Sequence, residues 1–172
     1  MGLGLTHNRG LKPATARRPS MPTEPSPNPE VTQVDTRYLE TLLGYNARRA
    51  ALAIIEVFLK RMAVYDLRPV DFSVISLVHH NPGITSRQLC SALGILPPNL
   101  VGMINSLEKR GLVQRLPHPR DGRAMGLSLT PAGHTLMAEA EQTASQLELD
   151  ATPKLSAQER QTLLKLLQKI YL

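Results

Sequence analysis

Tryptophan is absent from the 172 residues, and two phenylalanines with four tyrosines make up only 3% of them. So little aromatic surface argues against a β-sandwich and for an aliphatic, helical core. A single cysteine, Cys90, excludes an internal disulfide and fits a reducing cytoplasm. No run approaches the roughly 18 apolar residues of a membrane span, so no membrane partner is expected. The basic N-terminus lacks the apolar stretch of a secretory leader. No nucleophile elbow, phosphate-binding glycine loop or ordered carboxylate pair stands beside Cys90 or a histidine. An enzyme is therefore not expected, nor is a cofactor. Neither H-x-x-x-H nor E-x-x-H occurs, and the adjacent His79 and His80 would point about 100° apart on a helix. No metal site is expected either.

What is present is a basic chain with enough apolar residues to fold. Hydrophobic residues reach 42% and the net charge is +6, with a pI near 9.8. That balance points to an anionic partner, nucleic acid before membrane surface. Residues 1–33 hold six of the fourteen prolines, from Pro13 to Pro29, with few large apolar residues between them. Such a segment cannot bury enough surface to offset its ordering entropy and is read as a disordered arm. Arg9, Lys12, Arg17 and Arg18 there suit a solvated tail better than a phosphate contact, and Met21 offers an alternative start.

Residues 93–133 organise the rest: LGILPPNLVGMINSLEKRGLVQRLPHPRDGRAMGLSLTPAG. Leu100, Met103, Ile104 and Leu107 recur at helical spacing on one face. Lys109 and Arg110 suit the negative end of that helix, and Gly111 stops it. Residues 112–116 and 124–129 read as hairpin strands around the polar tip 118–123. Thr130 followed by Pro131 opens another helix. Upstream, residues 85–93 form a short helix capped by Thr85, with Leu89, Cys90 and Leu93 inward. Gly94 then turns the chain into the helix 97–110. The fold class is mainly α, a winged helix-turn-helix. LEKRGLVQR, the PRDGR tip and LSLTPAG resemble the signature of the MarR family of bacterial transcriptional regulators.

The resemblance runs from about Asp35 to the C-terminus. It implies a homodimer on inverted-repeat double-stranded DNA, usually a repressor in the cytoplasm, released by a small anionic aromatic ligand. On this reading residues 1–33 are the arm and residues 34–172 the family domain. Dimerisation helices occupy about 35–66 and 131–172, and the winged helix-turn-helix about 69–130. Residues 35–66 read as one long helix striped by Leu39, Leu43, Ala47, Ala50, Ile54 and Val57, and Glu56 is the one polar residue in 50–59. A helix apolar nearly all round is buried on more than one side. Residues 70–80 form the next helix, with Phe72, Ile75, Leu77 and Val78 inward, ended by Asn81-Pro82-Gly83. After the wing, residues 132–151 carry Leu136, Ala140, Thr143 or Ala144, and Leu147. Pro153 interrupts, and Ser156 to Glu159 is a capping box before a stripe of Leu163, Leu166, Leu167 and Ile170.

A helix entering the major groove offers its first turns to base edges. Here these are Pro98, Asn99, Val101, Gly102 and Asn105, which favour adenine and thymine. Relatives tend to carry Ser or Thr and then Arg where this chain has Leu96, Asn99 and Gly102, so an A·T-leaning site is expected. Family resemblance gives the wing Arg123 for the minor groove, positioned by Asp121, with Arg120 beside it. Ser86, Arg87, Lys109 and Arg115 are the phosphate candidates. Resemblance also implies a pocket between dimer helices and reading part, here Tyr45, Arg48, Arg49, Tyr65, Asp71, Phe72 and His79, suited to an aromatic carboxylate. Arg48 and Arg49 have a plainer reading, reaching solvent or pairing with Glu40 and Glu56. Cys90 reads first as a small buried hydrophobe; a redox-responsive regulator through Cys90 and a winged-helix protein-interaction module are the alternatives. Peroxide-sensing relatives place their cysteine differently, near the start of the first long helix.

Overall fold

The computed structural model describes residues 31–118 and 121–172, without the side chains of 118 and 121–124. The proline-rich arm lies outside them, apart from residues 31–33. All described helices and strands belong to one unit, Thr36–Leu172. In order they are α1 (Arg37–Glu40), α2 (Leu43–Met62), a 3-10 turn (Ala63–Tyr65), α3 (Pro69–His80) and β1 (Ile84–Thr85). Then come α4 (Ser86–Leu93), α5 (Pro97–Lys109), β2 (Val113–His118), β3 (Asp121–Leu129), α6 (Pro131–Ala151) and α7 (Ala157–Tyr171).

The mainly helical winged fold is as the sequence implies, but the first helix is not continuous. It breaks at Leu42, whose backbone is extended, between α1 and α2. Thr41 Oγ1 donates to the Tyr38 carbonyl, and Asn46 Nδ2 donates to the carbonyls of Glu40 and Leu42. Those side chains satisfy the carbonyls that the break frees, which makes it cheap. At the other end the 3-10 turn gives way to Asp66 in the left-handed region, φ 49°.

The sheet is antiparallel with order β1-β3-β2. Its strands reach further into the expected tip than the pattern implied, and the register shifts between Pro117 and His118. Proline has no N–H to give the ladder, so a shift beside it is where pairing is weakest. β1 was not foreseen, because two residues leave no periodicity. Ile84 pairs with Leu127 and Thr85 with Gly126, and the Gly83 N–H donates to the Leu127 carbonyl at 2.8 Å.

The core lies where α3, α4, α5, the sheet and α6 meet. Leu89, Leu100, Ile104, Leu107, Leu127 and Met137 are each at most 1% exposed. From α2 only Phe58 and Met62 are buried, and Phe58 meets Phe72 of α3 edge to face at 5.7 Å. Glycine is required at Gly133, the third residue of α6. A Cβ there would lie 2.1 Å from the Leu112 carbonyl oxygen. Its N–H donates to Thr130 Oγ1 at 3.0 Å, while that hydroxyl donates to the Gly111 carbonyl at 2.6 Å. The LSLTPAG run is thus a lock. Leu127 and Leu129 enter the core, Thr130 caps α6 and holds the end of α5, and Gly133 lets the two backbones touch.

Candidate nucleic-acid interface

α4 and α5 turn through 115°, within the range of DNA-binding helix pairs. Thr85 fixes the start of α4. Its hydroxyl accepts from the Gln88 N–H, and the Gln88 side-chain oxygen accepts from the Thr85 N–H at 2.9 Å. Gly94 ends α4 at φ 63°, left-handed as a tight exit needs. Two prolines then open α5, where the first amides lack intrahelical partners anyway.

With Leu100, Ile104 and Leu107 pointing inward, the opposite side of α5 faces solvent. Pro98, Asn99, Val101, Gly102, Asn105 and Lys109 are all exposed, as are Ser86 and Arg87 at the start of α4. Thr85, Ser86, Arg87, Val101, Arg115 and Met125 line an open groove of about 560 Å³, floored by Leu127. It runs between the exposed side of α5 and the base of the wing, with a hydroxyl pair and two guanidinium groups along its walls. The guanidinium groups suit such a groove to a polyanion.

Arg115 is less free than a phosphate contact would have it. One guanidinium nitrogen donates to Asn105 Oδ1 at 2.8 Å and lies 3.1 Å from a Glu108 carboxylate oxygen. Asn105 therefore offers adenine an acceptor that it already shares with Arg115. Leu96, already noted where relatives carry Ser or Thr, is 69% exposed at the N-cap of α5, and Met125, which the pattern did not single out, also lines this surface. Nothing but its exposure marks Met125. Arg120 lies outside the described residues, and so do the side chains of Asp121 and Arg123.

Sequence reasoning gave Arg110 only a helix-end role. In the structure its guanidinium donates to the Tyr65 carbonyl at 2.7 Å and the Asp66 carbonyl at 2.8 Å. It thereby clamps the end of α5 to the turn after α2, and spacing along the chain could not have shown this.

The expected ligand residues fall into two groups. Tyr45, Arg48 and Arg49 sit on α2, with both arginines exposed and unpaired among the described residues. Of their two plainer readings the structure shows the first, reaching solvent, and not pairing with Glu40 or Glu56. Glu40 accepts from the Thr36 hydroxyl, and Glu56 pairs with Lys60 at 3.0 Å, one helical turn away. The other four are engaged within the chain. Tyr65 shares a hydrogen bond with Thr143, and Phe72 meets Phe58 edge to face. Both Asp71 oxygens accept from the Arg68 guanidinium. That hydrogen bond, then the charge of Asp71, raises the Arg68 pKa. His79 meets His134 edge to face. Cys90 is half-buried against the core.

Residues 65–124 match a family model described as the MarR family. A putative transcriptional regulatory protein for the hcr operon of Thauera aromatica is 30% identical over 130 residues, covering 75% of this chain and 78% of that protein. Among solved structures, the transcriptional repressor CouR bound to a 23-mer DNA duplex is 38% identical, with a TM-score of 0.75. The match covers 81% of this chain and 99% of CouR. CouR has also been solved bound to p-coumaroyl-CoA. BpsR of Bordetella bronchiseptica, whose DNA binding is regulated by 6-hydroxynicotinic acid, is 25% identical with a TM-score of 0.69, over 75% of this chain and 92% of that one.

Proposed function

The chain belongs to the MarR family of transcriptional regulators, and from that premise we propose that it is a cytoplasmic repressor working as a homodimer on an inverted-repeat operator. A small aromatic carboxylate, free or as its coenzyme A thioester, releases it. The observation that carries the reading is the groove beside α5, with the first turns of that helix exposed next to the wing and the start of α4.

α5 enters the major groove. Asn99 and Asn105 read adenine, and Pro98 and Val101 meet thymine methyl groups across the close approach that Gly102 allows. Ser86, Arg87, Lys109 and Arg115 neutralise phosphate. Arg123, with Arg120 beside it and Asp121 to position it, takes the adjacent minor groove. Two such heads, set by the pairing of residues 35–66 and 131–172 between copies, span half-sites about one helical turn apart. The second copy covers apolar surface that the single chain leaves open. Between α2, α6 and α7 lies a groove of about 390 Å³ lined by Ile54, Leu155, Leu163, Leu164 and Leu167. No residue of α7 is buried.

The ligand's anionic end meets Arg48 and Arg49, whose charges are unneutralised within the described chain, while Tyr45, Tyr65, Asp71, Phe72 and His79 frame the aromatic end. The ligand releases DNA by favouring a head spacing that misfits the operator. Fluorescence anisotropy of genomic fragments, including the region upstream of the protein's own gene, tests all of this across salt concentrations. Tight, selective binding that weakens steeply with salt is expected, with Arg123→Ala costing about 1–3 kcal/mol. Free aromatic acids and their coenzyme A thioesters are then added in turn. Weak binding with no sequence preference would remove the operator from the reading, and a full ligand response in Arg49→Ala would remove that residue.

A further inference from the structure

The last turn of α3 and the middle of α6 bring together a cluster that DNA reading does not use. One ring nitrogen of His79, one of His80 and a carboxylate oxygen of Glu141 lie within 4.8 Å of one another. His80 Nε2 and Glu141 Oε1 are already 2.7 Å apart. The two imidazole rings stand at 4.8 Å between centroids, and the ring of His134 stands 5.3 Å from that of His79. His134 and Glu141 are seven residues apart on α6, hence on one face of it. His79 Nδ1 is buried and has no hydrogen-bond partner among the described residues. It is the one such side-chain atom there. In the tautomer that leaves it unprotonated, such a buried ring nitrogen has an unused lone pair for a proton donor or a metal.

We propose that His79, His80 and Glu141 hold a divalent transition-metal ion, zinc foremost, at the junction of α3 and α6. Two imidazoles and a carboxylate are the donors such an ion takes at about 2.0–2.2 Å, with a fourth position left for water or a further imidazole. His134 is the imidazole within reach. Tetrahedral donors sit roughly 3.3 Å apart at those bond lengths, so the His80–Glu141 pair has to open slightly while the wider separations close. His80 and Glu141 can do so by rotation, since their side chains are 61% and 33% exposed. The expectation that two adjacent histidines cannot share an ion considered α3 alone; Glu141, sixty-one residues on in the sequence, supplies the missing side. The bound ion replaces the hydrogen bond between His80 and Glu141, and it ties the end of the reading head's first helix to a helix outside that head.

The test uses the full chain, freed of metal by chelator and titrated with Zn²⁺ alone against a chromogenic chelator, with native mass spectrometry for stoichiometry. One ion per chain is expected, with affinity at least tenfold weaker in His80→Ala and in Glu141→Gln. Affinity is unchanged in Glu56→Gln, whose carboxylate lies exposed on α2. Zinc should raise the Tm of the parent and leave that of the His80→Ala protein where it was. The absence of zinc uptake by the parent, or equal uptake by the His80→Ala, Glu141→Gln double variant, overturns the proposal.

Discussion

The apolar residues of α5 and those of α7 have opposite fates. Both helices carry them at helical spacing. Yet α5 buries Leu100, Ile104 and Leu107 to 1% exposure or less, while on α7 Leu166 is 55% and Ile170 62% exposed. The difference lies in what the chain folds back against each. α5 is boxed in by α4 and the sheet, which are joined to it by short turns. α7 follows Pro153, and no residue of it is buried by the described elements. One chain is therefore enough to finish the reading head, whereas the long helices end in unfinished surface.

The sharpest way to break the contrast is to damage the finished side. Leu107→Ala should destabilise the protein by about 2–5 kcal/mol, read from urea unfolding, because the core around it cannot collapse into the gap. Arg110→Ala comes next. It strips the Tyr65 and Asp66 carbonyls of a charged donor and should cost about 1.5–3 kcal/mol in the same measurement. On the unfinished side Leu166→Asp should change the stability of the folded single chain by no more than about 0.5 kcal/mol. Sedimentation should show it abolishing self-association all the same. A variant that stayed dimeric would move the interface away from α7.

The smallest effect is one of pH. The Ser156 N–H, and then its hydroxyl, hydrogen-bond to the Glu159 carboxylate and hold its pKa below the ordinary glutamate value. A depressed folded value means that the cap's contribution is complete above the ordinary glutamate range and is lost as pH falls through the lowered value. The α7 N-terminus should fray in that acid window, visible in Cα chemical shifts, and Glu159→Gln should remove the pH dependence.

The same contrast marks what the sequence could tell. The helices of the reading head differ from their expected limits by a residue, because caps and breakers sit at their ends: Thr85, Gly94, Pro97, Gly111 and Thr130. The exposed side of α5 followed from its buried one. The break at Leu42 was hidden because the atoms that stabilise it belong to Asn46 and Thr41, ordinary helix surface by pattern. β1 was too short to leave a period. The Arg110 clamp and the His80–Glu141 bridge join residues 45 and 61 positions apart, and one-dimensional spacing cannot show such pairs. Arg48 and Arg49 reach solvent because Glu56 has a nearer cation in Lys60 and Glu40 a hydroxyl in Thr36.

β1 is only two residues long, yet it sews the turn between α3 and α4 to the same strand that carries the wing. Gly126 makes the seam tight, since a Cβ on it would lie 2.7 Å from the Gly83 carbonyl oxygen. The base of the wing and the start of the helix pair are therefore joined through paired backbone. In the proposed dimer neither wing nor recognition helix should let go of its groove while the other holds on. Each half-site should behave as a single latch, so dissociation should proceed in two steps, one per half-site, and a lone wing contact should never appear as an intermediate.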